Sequence, residues 1–135
     1  MDIYDQLKRD EGNKKFPYTD TVGKITIGVG FNLTDVGLSP DEIAYILNAR
    51  VNKLDAALQV FPWYTELDSV RQGALLNMAY NMGLSGLLHF PSMLHCLSIK
   101  DWAGAQREAL ASTWAEQVGP RAVRLGQQLL TGEWQ

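Results

Sequence analysis

Cysteine is almost missing from this chain: Cys96 stands alone among 135 residues. A single thiol excludes an intrachain disulfide and suits a chain made in a reducing compartment. Long apolar runs are missing too. None approaches the roughly 20 residues that a membrane-spanning helix needs, and the stretch Gly73–Tyr80 reads as core helix. The first ten residues mix charges and hold no hydrophobic segment with a cleavage site, so no secretory signal is expected there. Nor is there a basic stripe. The formal net charge is −3; residues 1–60 carry seven basic and nine acidic side chains, the remainder five and six. Nucleic acid is therefore not an expected partner. A weakly acidic protein also gains no long-range attraction to an anionic wall or membrane, so such a substrate must be held by shape and local contacts.

What is present is ordinary globular composition, 46% apolar and 20% charged, in a length that predicts one domain over 1–135. Ile3, Leu7 and Glu11 share one helical face; Asp2 is a ready N-cap and Gly12 a natural stop. From Lys15 to Thr34 the period changes to two. Ile25, Ile27 and Val29 alternate with Lys24, Thr26, Gly28 and Gly30 after the turn Thr19-Asp20-Thr21-Val22-Gly23. Beyond this the pattern is helical. Ser39, Pro40 and Glu42 form a start signal for a stripe of Ile43, Ile46, Leu47, Val51, Leu54 and Leu58 that ends near Val60, before Pro62. Further helices are expected over 67–82, with Gly83 as terminator, and near 91–97, 101–111 and 120–130. The class is α+β, a small β-hairpin region beside a helical bundle.

Three positions carry possible chemistry. Glu11 lies on an apolar face at a helix C-terminus, where the macrodipole opposes negative charge. Partial burial would act in the same sense and favour the protonated form that a general acid requires. Local pattern alone also allows a solvated last-turn glutamate. Asp20 sits in a hydroxyl-rich turn and, on position alone, reads as a turn residue bonding its own backbone. Thr26 shares a strand face with Gly28 and Gly30, which leaves either a flat surface for a ligand or a glycine-weakened strand covered by a helix.

In order along the chain, Arg9-Asp10-Glu11-Gly12, Tyr18-Thr19-Asp20-Thr21-Val22-Gly23, Thr26-Ile27-Gly28-Val29-Gly30 and Leu33-Thr34 resemble the phage-type lysozymes (glycoside hydrolase family 24). The resemblance continues through Val70-Arg71-Gln72-Gly73-Ala74-Leu75-Leu76-Asn77-Met78-Ala79-Tyr80-Asn81-Met82-Gly83. It extends to Phe90, Trp102, Trp114, Arg121-Ala122 and Thr131-Gly132-Glu133-Trp134. It implies a lysozyme-like fold: a hairpin lobe with its connecting helix over about 13–60, a helical lobe over 1–12 and 61–135, and a glycan cleft between them. It implies cleavage of the β-1,4 bond between N-acetylmuramic acid and N-acetylglucosamine in peptidoglycan, with inversion. Glu11, Asp20 and Thr26 would be the catalytic set; inverting hydrolases hold such carboxylates roughly 6.5–9.5 Å apart to admit a water. Asn32, Tyr80, Met93, Glu108, Gly28 and Gly30 would line the substrate, and Arg121 would orient Glu11. Met93 and Glu108 differ in type from the residues expected there.

Phe31 stands where many members carry histidine, and Arg50 replaces its acidic partner, so that ion pair is not expected here. His89, His95 and Cys96 lack the paired spacing of a metal site, and no cofactor is expected. Trp63, Trp102, Trp114 and Trp134 can stack on sugars or serve as core and cap residues. The amphipathic segment Arg121–Leu130 carries only two charges, which argues against a membrane-active helix. A monomer is expected, made in a host cytoplasm and acting on the periplasmic wall once a holin-like protein has permeabilised the membrane. A lytic transglycosylase and a non-catalytic glycan-binding module are the alternatives.

Overall fold

Asp2 starts the first helix of the computed structural model, which describes residues 1–135. Its carboxylate accepts from the Asp5 amide at 2.9 Å while Asp5 reaches back to the Asp2 amide, a reciprocal cap for α1 (Ile3–Glu11). Gly12, at φ 86°, ends that helix in a conformation that L side chains rarely adopt. Strands β1 (Lys14–Thr19), β2 (Ile25–Gly28) and β3 (Phe31–Asn32) follow as an antiparallel sheet in the order β1-β2-β3. Thr26 pairs with Tyr18 on one side and Asn32 on the other, which sets these three on one face of the sheet. The register between Lys14 and Tyr18 is irregular.

The second helix, α2 (Pro40–Leu58), begins as its sequence predicts. The Ser39 amide donates to Glu42 at 2.8 Å and Ser39 Oγ accepts from the Glu42 amide at 3.2 Å. Those bonds hold the Glu42 carboxyl below its usual range. After it come α3 (Pro62–Thr65), α4 (Ser69–Leu88), α5 (Pro91–Ser98), α6 (Trp102–Leu110), α7 (Thr113–Val118) and α8 (Pro120–Thr131). Two of these were not expected. In α3, Pro62 does stop the preceding stripe, but it also occupies the first position of a new turn, which a proline favours. In α7, Ser112 caps the start by accepting from the Ala115 amide at 3.1 Å. Gly83 breaks α4 as predicted, with φ 80° and ψ 161°, and the chain then resumes a helix to Leu88 rather than leaving it.

Two compact units result, Met1–Ile46 and Leu47–Gln135, with α2 running from one into the other. The buried apolar side chains all lie in the second. They run from Leu58 and Tyr64 through Leu75, Met78, Leu87, Met93 and Leu97 to Leu125 and Leu129. In the first unit Thr26 alone is buried, at 4% exposure. Contacts across α4, α5, α6 and α8 build the helical core. Arg71 ties two of these helices together. Its Nε and Nη2 donate to the Leu129 and Leu130 carbonyls at 2.7 and 3.0 Å, Nη1 pairs with Asp68, and the guanidinium stacks 3.8 Å above the Trp102 ring.

Candidate active site

Lys24 is the residue around which the first unit's polar groups are organised, and it does so with its backbone. Its amide donates to Asp20 Oδ1 at 2.8 Å, and its carbonyl accepts from the Asp20 amide at 2.9 Å. The same carbonyl accepts from Thr26 Oγ1 at 3.1 Å. Asp20 Oδ1 also takes the Val22 amide at 2.9 Å, so the turn residue that sequence allowed is real. Both bonds fall on one oxygen, which leaves Oδ2 for other work. Thr26, buried on the central strand, spends its proton on Lys24 and keeps its lone pairs. The Lys24 ammonium turns outward to Asp35 at 3.0 Å, and Asp35 is held in turn by Asn32.

Glu11 ends α1 and reaches the turn between β2 and β3. Its side chain lies against Gly30, where a built Cβ would stand 2.7 Å from Oε2 and 3.0 Å from Cδ. The partial burial expected for Glu11 is not found. No residue of α1 is buried, because this helix presents its apolar Ile3 and Leu7 largely to solvent. Gly28 is covered as well, by the ring of Phe31. The two glycines thus make room for neighbouring side chains of the same unit.

The remaining predicted positions lie in the second unit and fall in two places. Tyr80 and Arg121 line a cavity of about 350 Å³ with Leu47, Val51, Leu76 and Trp134. Met93 and Glu108 line another of about 460 Å³ with His89, Ser92 and Trp114. Met93 is fully buried and serves as its floor; Glu108 is half-buried and brings its only carboxylate. Arg121 donates from Nε and Nη2 to Asn77 Oδ1 at 2.9 and 2.7 Å. Asn77 and Asn81, which accepts from the Trp114 indole at 2.9 Å, are orienting residues that pattern reading passed over. Their signal was available: two asparagines one helical turn apart in the mainly apolar stretch 73–84 of α4. Of the tryptophans, Trp114 is core, Trp63 stacks on Phe61 and Trp102 lies under Arg71. Trp134 is 67% exposed.

The profile of the family described as phage lysozyme matches residues 8–128. Probable T4-type lysozyme 1 of Dictyostelium discoideum is 29% identical, over 96% of this chain and 94% of that protein. Probable T4-type lysozyme 2 of the same organism is 30% identical, over 91% of this chain and 90% of that protein. The pre-baseplate central spike protein Gp5 of Enterobacteria phage T4 is 28% identical over 98% of this chain, which spans 28% of that protein. With nearly its whole length matched and an α+β fold of one small sheet and eight helices, the chain belongs to the phage lysozyme family, glycoside hydrolases of the muramidase type that act on peptidoglycan.

Proposed function

We propose that this lysozyme cleaves the β-1,4 bond between N-acetylmuramic acid and N-acetylglucosamine with inversion. Glu11 is the general acid, and Asp20 with Thr26 handles the water. The observation that carries this reading is the shared Lys24 backbone, which fixes Asp20 and Thr26 with both presenting acceptors. A water between Asp20 Oδ2 and Thr26 Oγ1 donates its two protons to them and turns its own lone pair to the anomeric carbon. The Glu11 proton passes to the glycosidic oxygen as the bond from that oxygen to the anomeric carbon breaks. The water oxygen bonds to that carbon from the opposite face, and its proton goes to Asp20. Acid–base catalysis of this kind contributes about 10²–10⁴-fold, and the charge on Asp20 stabilises the oxocarbenium-like transition state. Asn32 on the sheet face, and Tyr80 and Glu108 on the second unit, contact the substrate. Met93, expected to do so from the sequence, is fully buried and only backs its cavity, and Arg121, expected to orient Glu11, donates to Asn77.

The biological role that fits is lysis of a bacterial host. The enzyme works as a monomer, accumulates in the cytoplasm and reaches the periplasmic wall once a separate holin-like protein has permeabilised the membrane. Glu11→Gln is the first test. The side chain is exposed, so the variant is expected to keep the wild-type circular dichroism and melting curve while losing clearance of a peptidoglycan suspension. Retained clearance overturns the assignment. Mass spectrometry of the digest is expected to show reducing-end muramic acid, with the α-anomer formed first by NMR; anhydro-muramic acid would instead mean a transglycosylase.

A further inference from the structure

We propose that Gly30 is a positioning residue for the catalytic acid, a role distinct from contact with glycan; this rests on the assignment of Glu11 above. The turn Gly28-Val29-Gly30 joins two strands whose register is fixed by the pairs Thr26↔Asn32 and Ile27↔Phe31. The backbone at Gly30 therefore has little freedom to retreat. Glu11 is laid along it rather than touching at its tip alone. A Cβ at Gly30 would stand 2.7 Å from Oε2, 3.0 Å from Cδ and 3.1 Å from Cβ of Glu11. Real Cβ atoms essentially never approach a heavy atom as closely as the 2.7 Å to Oε2, and the other two distances are tighter than most. A side chain at position 30 must therefore displace the Glu11 carboxylate. The fold can accommodate this, because the acid is at the exposed end of a flexible side chain. The chemistry cannot, because an ångström-scale misplacement of a reacting group costs about 10²-fold in rate.

A second strain has to be separated from the first. Gly30 has φ 67°, where L residues are disfavoured whatever the space around them. The molecule supplies its own control. Gly37 has φ 65° with nothing near a built Cβ. Gly30→Ala and Gly37→Ala are therefore expected to lose similar amounts of melting temperature. Gly37→Ala keeps the wild-type kcat; Gly30→Ala loses about 10²-fold in kcat with KM changed by less than about twofold, the signature of an interaction needed in the transition state alone. Gly30→Asn provides a better-folded companion, since asparagine tolerates a left-handed backbone yet still collides with Glu11.

Steady-state kinetics of both variants on soluble glycan fragments, beside Glu11→Gln, tests the proposal. A wild-type kcat in Gly30→Asn or Gly30→Ala overturns it. So does a raised KM with unchanged kcat, which would mark Gly30 as a glycan contact instead. Active Glu11→Gln would defeat the assignment of the acid itself, whereas inactive Glu11→Gln with fully active position-30 variants would defeat the positioning role alone.

Discussion

Asp55, on α2, accepts hydrogen bonds from the buried Tyr64 hydroxyl and from Gln59, and the first of these joins two segments of the second unit. Burial, and then the neighbouring carboxylate, push the Tyr64 phenol up from its ordinary value of 10.0. The sign of the consequence is fixed. The stabilisation is present in full below that value and is lost as pH rises, because the unfolded phenol ionises first. Tyr64→Phe is expected to cost about 1–3 kcal/mol at neutral pH, since it leaves a half-buried carboxylate short of a donor. It should also flatten the alkaline limb of a plot of melting temperature against pH. Asp20 allows a second contrast. Asn can still accept the Val22 and Lys24 amides, so Asp20→Asn should melt like wild type, whereas Asp20→Ala loses two turn bonds worth about 1 kcal/mol each. Clearance assays on both should show the same loss of activity. Neither Glu11 nor Asp20 was legible from its own surroundings in sequence, because each has a common structural role that the same residue type fills. They were singled out by the resemblance that their order with Thr26, Gly28, Gly30, the Asn81-Met82-Gly83 segment and Arg121 carries. The backbone of Lys24 had no signal at all, since any residue supplies an N–H and a carbonyl.

Arg71 sets what holds the helices together. Its guanidinium closes the C-terminal carbonyls of α8, 58 and 59 residues away, and also binds Asp68 at the start of α4. Desolvation pushes the Asp68 carboxyl up, but the Arg71 amide, side-chain bonds and charge outweigh it and hold the group below its usual range. Asp68→Ala is expected to cost about 1 kcal/mol through the lost N-cap. That difference should shrink as the pH falls through the Asp68 value, because a depressed carboxyl stabilises only while ionised. Arg71→Met keeps much of the stem but removes the charged donors and the stacking on Trp102. A loss of about 2–4 kcal/mol, read from urea denaturation, is expected. Helix starts were readable because caps and prolines are local: Asp2, Ser39-Pro40, Pro91 and Pro120 mark them. The short α3 and α7 were not, since one or two turns are too brief for a 3.6-residue period to register. The strand alternation likewise gave the period but not which face is covered. It is Thr26 that is buried, while Ile25 is 51% exposed.

At the scale of the molecule, the apolar core belongs to the second unit and the carboxylates proposed for catalysis, Glu11 and Asp20, to the first. Hydrogen exchange should reflect this. Amides of β1, β2 and β3 are expected to exchange with markedly less protection than those of α4 and α8, because few buried apolar contacts hold the sheet. Equal protection in the sheet and in α4 would contradict that distribution of stability. The α+β class was legible because the change of period near Lys15 is abrupt. The division between Ile46 and Leu47 was not, since it falls inside the unbroken stripe of α2. One feature of the helical unit also bears on biosynthesis. Ala122, Leu125 and Leu129 complete the core, and the carbonyls that satisfy Arg71 lie 58 and 59 residues downstream of it. A nascent chain therefore carries α4 to α7 with an open flank and an unsatisfied arginine until translation reaches α8. Folding of that unit waits for the synthesis of α8, and a ribosome stalled before Leu129 would hold a chain that chaperones still recognise.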